Sequence, residues 1–214
     1  MPRCLSVDPH DPDVVVLQEA LRVLRHGGVV AYPTDTVYGL AVDALNPKAI
    51  ARLYQVKQRP AEKAFPVIIG GPEQLSQLVA TLSPTAKRLI AAFWPGPLTL
   101  LMEPRAHVPA GLLGKSHRIG VRWPQAVLCQ QLVLGLGRAL TATSANLSGA
   151  PVALTASEVM AQLASAVDLI LDGGAMLSSQ VSTVLDITVE PPCLCRTGKL
   201  EPQTIAAVLG YTIA

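Results

Sequence analysis

Aromatic side chains are scarce: two Phe, two Trp and four Tyr, 4% of 214 residues. That argues against a surface of interleaved aromatics that stacks single-stranded nucleic acid. The core must instead come from Leu, Val, Ile and Ala, since half of the residues are hydrophobic. Charge is thin as well, with 17 basic against 15 acidic side chains and a net charge of +2. Gripping nucleic acid by bulk charge takes a larger basic excess. Any basic patch is therefore local, which suits a small phosphate-bearing ligand. Of the four cysteines, Cys193 and Cys195 form a C-x-C with no histidine close in sequence. That is neither a redox pair nor a zinc set, so reduced thiols and no metal site are expected. No apolar run of about 18 residues offers a membrane span, and the segment from Met1 to Asp8 lacks the apolar centre of a signal peptide. A cytoplasmic protein without membrane contact is expected. The P-loop pattern G-x-x-x-x-G-K-S/T is missing. No Ser-His-Asp triad can be argued, because His10, His26, His107 and His117 all fall in turns or at element ends.

What is present reads as an α/β chain of one domain, residues 1–214. Asp11-Pro12 opens a helix with Val15, Leu17, Leu21 and Leu24 at helical spacing, stopped by His26-Gly27-Gly28. Val29 to Tyr32 follows as a buried strand. Asn46-Pro47 starts a helix that reaches about Val56. Phe65 to Ile69 is a strand, Gly71-Pro72 and Ser83-Pro84 each open a helix, and Leu98 to Met102 is an apolar strand. Further strands are expected at Arg118–Arg122, Leu140–Thr143, Asp168–Leu171, Thr183–Ile187 and Cys193–Cys195. Helices are expected at Gln125–Leu134, after the capping box Thr155-x-x-Glu158, and at Pro202–Leu209. Strands and helices interleave without strict βαβ order. A mixed sheet with helices on its faces fits that pattern better than a parallel one.

Polar clusters gather at strand ends. Thr34-Asp35-Thr36 follows the buried strand at Tyr32, where open α/β sheets place ligands, although the same residues cap turns equally well. Lys57-Gln58-Arg59-Pro60-Ala61-Glu62-Lys63 carries three cations out of a helix end. They either complement the helix dipole or clamp a polyphosphate. Arg118 and Arg122 are four apart and so share a strand face, which calls for an anion or a structural salt bridge. Thr141-Ala142-Thr143-Ser144-Ala145-Asn146-Leu147-Ser148-Gly149 is a polar turn or a close backbone approach to a ligand, and Ser182-Thr183, with Arg196 near the end of the next strand, is strand capping plus a surface arginine or a ligand contact.

In order, these pieces resemble the YrdC-like family of threonylcarbamoyl-AMP synthases. The matching segments are Pro33-Thr34-Asp35-Thr36-Val37-Tyr38-Gly39-Leu40, Lys57-x-Arg59-Pro60, Phe93-Trp94-Pro95-Gly96-Pro97-Leu98-Thr99, Val121-Arg122-x-Pro124, Ser144-Ala145-Asn146-x-Ser148-Gly149, Asp172-Gly173-Gly174, Ser182-Thr183-Val184 and Arg196-x-Gly198. Each is weak alone, and the ordered set is specific. The resemblance implies a twisted mixed sheet flanked by helices around a concave basic cavity. It also implies a nucleotidyltransfer, in which L-threonine, bicarbonate and ATP give threonylcarbamoyl-AMP and pyrophosphate. The product would pass to a tRNA-modifying transferase complex.

The same resemblance assigns Lys57, Arg59 and Lys63 to the phosphates, with Mg²⁺ sharing their charge, and gives Lys57 and Arg59 the catalytic role. Arg118, Ser144, Asn146 and Arg196 would hold the nucleotide. Thr36, Arg122, the backbone at Ala142 and Ser182 would hold threonine, with Thr34 as the rival of Thr36 and Arg122 taking the carboxylate as a bidentate pair. The chain is similar to the short, stand-alone form of the family, which needs partner proteins for the tRNA step. It departs from the pattern at Ile68, where a histidine is common, at Thr143 and Val152, and at Ser178-Ser179-Gln180-Val181. A paralogue with another acceptor, or an RNA-binding module using the same cavity with weak, salt-sensitive binding, are the competing readings.

Overall fold

The computed structural model describes residues 2–163, 166–176 and 180–214; Ser178 and Ser179, singled out above, lie outside them. In chain order the elements are β1 (Arg3–Ser6), α1 (Val14–Arg25), β2 (Val30–Tyr32), β3 (Gly39–Ala41), α2 (Pro47–Lys57), β4 (Val67–Ile68), α3 (Leu75–Leu78), α4 (Pro84–Phe93), β5 (Leu98–Met102), α5 (Ala110–Leu113), β6 (Ile119–Arg122), α6 (Val127–Leu136), β7 (Leu140–Thr141), β8 (Thr143–Ser144), α7 (Ala156–Leu163), β9 (Leu169–Asp172), β10 (Thr183–Asp186), β11 (Cys193–Arg196) and α8 (Pro202–Leu209). The expected mixed pairing is present, but it is divided between two sheets. One has the order β1-β9-β2-β3-β8 and the other β11-β10-β5-β6-β4-β7. Both mix parallel pairs, such as β1 with β9 and β10 with β5, with antiparallel ones.

Of the three passages of the chain from one sheet to the other, the one between β7 and β8 takes a single residue. β7 pairs with β4 in the six-stranded sheet, and β8 pairs with β3 in the five-stranded one. Ala142 alone separates them, so the strand expected at Leu140–Thr143 is in fact two strands. Thr141 helps to make the crossing. Its hydroxyl accepts from the Val42 N–H at 3.0 Å, and its own N–H donates to Val42 O.

The core is aliphatic, as the composition requires. One cluster joins Leu40, Leu53, Phe65, Val67, Leu100, Val121 and Leu185 across both sheets and α2. A second packs α1 and α6 against the opposite face through Leu21, Leu24, Leu128, Leu132 and Leu169. Local signals set the ends of the helices. Asp13, not Asp11, caps α1 by accepting from Val15 N–H at 2.7 Å. Asn46 caps α2, with Pro47 in its first turn. Lys57 falls on the buried face of α2 with Ile50 and Leu53, and Gln58 then takes the left-handed conformation at φ 48°, which ends the helix and sends Arg59 along a new path.

Candidate functional site

An open cavity of about 150 Å³ lies where the two sheets meet. The five-stranded side supplies Tyr32, Thr34, Thr36, Gly39 and Ser144. The six-stranded side supplies Ile68, Thr99, Arg122, Ser182 and Arg196, and Arg59 closes the rim. Of the residues expected at the site, the cavity gathers Thr36, Arg59, Arg122, Ala142, Ser144, Ser182 and Arg196. Lys57, Lys63, Arg118 and Asn146 are not on its wall.

Lys57 departs furthest from the expected phosphate contact. Its side chain is fully buried, and its ammonium donates to Ser144 O at 2.6 Å and Asn146 O at 2.7 Å, with Asn146 Oδ1 at 3.4 Å. The helix end aims the cation at the backbone of the S-x-N turn and not at open space. Burial, with repulsion from Arg59, pushes its pKa down to about 7. Asn146 completes the same scaffold. Its Nδ2 donates to Ala150 O at 2.6 Å, and its Oδ1 accepts from Ser144 Oγ at 2.5 Å. These two residues shape the turn that presents the Ser144 hydroxyl. Arg118 is held by a salt bridge to Glu103 at 3.2 Å and a bond to Thr188 Oγ1 at 2.5 Å. Lys63 is exposed, and its carbonyl accepts from Arg59 Nε and from Tyr54 Oη.

The remaining cations converge. Arg59 stacks over the Phe65 ring, 5.0 Å from its centroid, and donates through Nη2 to Ala64 O. Arg196 reaches Ser182 O through Nε and Nη2, and Ser182 Oγ through Nη2 at 2.9 Å. Ser182 Oγ also lies 2.9 Å from Thr99 Oγ1. Among the described residues no carboxylate pairs with Arg59 or Arg196. The pKa of Arg196 is lowered by desolvation and by the neighbouring Arg122 and Arg59 guanidiniums. The pKa of Arg59 is lowered by desolvation. Like charges gathered without counter-charge call for an anion.

Arg122 differs from the other two. It is buried, Nε donates to Gly96 O at 2.9 Å, and Nη2 meets Asp35 Oδ2 at 2.5 Å. Three of its five donors remain. In the turn after β2, the Thr34 hydroxyl donates to Val37 O and accepts from the Thr36 and Val37 N–H groups. Thr34 therefore holds the turn, and the Thr36 hydroxyl, 2.9 Å from Thr34 Oγ1, donates to it and keeps its lone pairs for the cavity. The Ala142 N–H donates to Pro66 O at 2.8 Å, so its carbonyl is the group it can offer.

Sequence reasoning did not assign Thr99 or Asp35 to the site. Thr99 is the one polar residue within the strand Leu98–Met102 and is 2% exposed, and that interruption was its signal. Asp35 had no signal beyond its place in the first cluster. A second opening of about 580 Å³ borders the first, sharing Thr34 and Thr36 and adding Asp35, His10 and Lys199.

Fold and site together define an α/β protein with two sheets meeting at a hydroxyl-rich, guanidinium-lined cavity. A family model described as "Telomere recombination" (Sua5, YciO, YrdC) matches residues 22–198. The chain belongs to the Sua5/YciO/YrdC family. It is 37% identical over 187 residues to a threonylcarbamoyl-AMP synthase of Pyrococcus abyssi, covering 87% of this chain and 55% of that protein. It is 40% identical over 159 residues to the synthase of Vibrio cholerae, covering 73% of this chain and 85% of that protein. Its fold matches a crystal structure of P. abyssi Sua5 complexed with L-threonine, with a TM-score of 0.94 at 34% identity. That match covers 98% of this chain and 62% of the Sua5 chain. The chain thus spans little more than half the length of the Pyrococcus relative. Among the described residues, no helix is long and apolar enough to cross a membrane, and no three His, Cys, Asp or Glu side chains gather as a metal site.

Proposed function

We propose that the protein is an L-threonylcarbamoyladenylate synthase, a nucleotidyltransferase acting on L-threonine, bicarbonate and ATP. The observation that carries this reading is the convergence of Arg59, Arg122 and Arg196 with Thr36, Ser144 and Ser182 in one cavity. The names borne by relatives covering most of this chain support it.

In this reading the threonine amine adds to carbon dioxide from bicarbonate, giving a carbamate and releasing a proton. A carbamate oxygen attacks the α-phosphorus of ATP. The bond from that phosphorus to the bridging oxygen breaks, and pyrophosphate leaves with the electron pair. Such a reaction needs alignment and charge neutralisation more than a protein nucleophile. Arg59 and Arg196, with no carboxylate partner among the described residues, stabilise the polyphosphate and the charge that builds on the leaving group. Ser144 stands on the turn that Lys57 and Asn146 hold, and its hydroxyl donates to a phosphate oxygen by rotating away from Asn146 Oδ1, to which it donates in the free protein. Arg122, Thr36, Ser182 and the Ala142 carbonyl hold the amino acid. The enclosed space suits the reacting ends of the substrates, with the adenosine lying in the opening.

Magnesium enters only as the counter-ion that ATP brings. Among the described residues the cavity wall carries no carboxylate, which does not fit a protein-built site for this hard cation. By the same resemblance we assign the product to a tRNA-modifying transferase and the protein to the cytoplasm, a reading its free thiols suit.

The test is pyrophosphate release from ATP and bicarbonate by the purified protein, with and without threonine. Threonine-dependent release, with serine a much poorer substrate, is expected. Release that ignores threonine, or none at all, would overturn the reading.

A further inference from the structure

The cavity is electrically uneven. Arg59 and Arg196 have no carboxylate counter-charge among the described residues, whereas Arg122 is paired with Asp35 at 2.5 Å. The Arg122 side chain is only 8% exposed and that of Asp35 only 20%, so the pair interacts largely out of water, where charge effects are strong. Asp35 does not line the main cavity. It sits in the wall behind Thr34 and Thr36 and faces the neighbouring opening. Its second oxygen, Oδ1, is buried and has no hydrogen-bond partner in the structure. A half-satisfied buried carboxylate is costly and calls for an explanation.

We propose that Asp35 is a specificity-determining residue, which orients Arg122 and cancels its charge so that this end of the cavity takes a zwitterion and not a phosphate. The inference rests on the reading of Arg122 as the amino-acid end given above. A polyphosphate is drawn to net positive charge, which Arg59 and Arg196 supply. An amino acid carries one carboxylate and one ammonium and has no net charge. Beside an Arg–Asp pair its carboxylate still finds the three remaining Arg122 donors, while its ammonium meets a field that a lone arginine would make repulsive. The same pair makes that end less attractive to phosphate oxygens. The bond from Arg122 Nε to Gly96 O fixes one edge of the guanidinium and Asp35 fixes another, so the remaining hydrogens face the cavity in one orientation.

The experiment is calorimetric titration of the full chain with L-threonine and, separately, with inorganic pyrophosphate. It compares wild type, Asp35→Asn, Arg122→Ala and the double variant. Asp35→Asn is expected to weaken threonine binding by about tenfold, the scale of one charge-assisted hydrogen bond, and to strengthen pyrophosphate binding severalfold. In the Arg122→Ala background, Asp35→Asn is expected to leave threonine affinity unchanged, because its effect acts through Arg122. If Asp35→Asn does not fold, Asp35→Glu serves instead. It keeps the charge but misplaces it, so threonine binding should weaken while pyrophosphate binding stays at the wild-type level. Equal weakening of both ligands, unchanged threonine binding, or additive effects in the double variant would overturn the proposal and leave the synthase reading standing. Failure of the wild type to bind threonine at all would overturn both.

Discussion

Replacing Lys57 by Met separates two roles for a buried cation. Methionine fills a similar length and offers no donor. Ser144 O keeps a second partner, the Asn146 N–H at 3.0 Å, but among the described residues Asn146 O accepts from Lys57 alone. One orphaned buried carbonyl costs about 1–3 kcal/mol, and relief of the buried ammonium offsets part of that. The expected net loss is about 1–2 kcal/mol, or roughly 2–8 °C in Tm for a chain of this size. The effect on turnover should be larger, a fall of at least about tenfold, because the S-x-N turn no longer holds Ser144 in place. Lys57→Arg should not rescue activity, since the bulkier guanidinium does not fit the carbonyl cage, whereas a residue touching phosphate would be partly rescued by arginine. The assay pairs thermal unfolding by circular dichroism with pyrophosphate release. An unchanged Tm with an increase only in the ATP KM, restored by Lys57→Arg, would refute the argument. A pH series adds a signed check. The ammonium titrates near 7 when folded and near 10.5 when unfolded, so between those values the unfolded chain binds more protons. Wild-type stability relative to Lys57→Met should therefore rise with pH across that window. A flat difference would mean that the carbonyls keep the proton on.

Arg59→Ala should lower kcat/KM for ATP by about ten- to a hundredfold, the scale of one or two charge-assisted hydrogen bonds, with a smaller change for threonine. Equal changes for both substrates would count against the phosphate assignment. Arg122→Ala should instead raise the threonine KM by at least about tenfold, and a change confined to ATP would reverse the roles of the two ends. Gly198→Ala places a Cβ 2.4 Å from Ser182 C and Val181 O, both backbone atoms that cannot swing aside. A stability loss of about 1–3 kcal/mol and a drop in activity are expected from that overlap, and a wild-type Tm would show that the strands part freely.

Much of the fold could be read from local chemistry. The Asn46-Pro47 and Ser83-Pro84 caps, the glycine stop after α1 and the apolar strand at β5 all act within a few residues, and all lie where the sequence suggested. β1 and β3 were missed for different reasons. Arg3–Ser6 offers little apolar signal on a mostly exposed edge, and Gly39–Ala41 is only three residues long and opens on a glycine, too short a run to signal a strand. At the site, the ordered motifs identified the right segments but could not tell which side chains face the ligand. Lys57 and Arg59 stand at the same helix end, but Lys57 still lies on the buried face of α2, whereas the left-handed Gln58 turns the chain so that Arg59 reaches the cavity. Arg118 and Arg122 were expected on one strand face, but β6 begins at Ile119 and leaves Arg118 just outside it, and Glu103 and Thr188 occupy one while Asp35 and Gly96 occupy the other. Those partners lie 15 to 87 residues away in the chain, beyond the reach of any local pattern.

The passage of the chain through Ala142 has a mechanical consequence. With β7 laced into one sheet and β8 into the other, one residue acts as a rivet between two plates. Sliding one sheet past the other would tear ladder bonds on one side of it. The groups that face each other across the seam, Thr36 and Ser144 on one plate and Arg122 and Ser182 on the other, are thereby kept at a set spacing. Ligand entry then has to be accommodated by side chains and rim loops while the plates stay still.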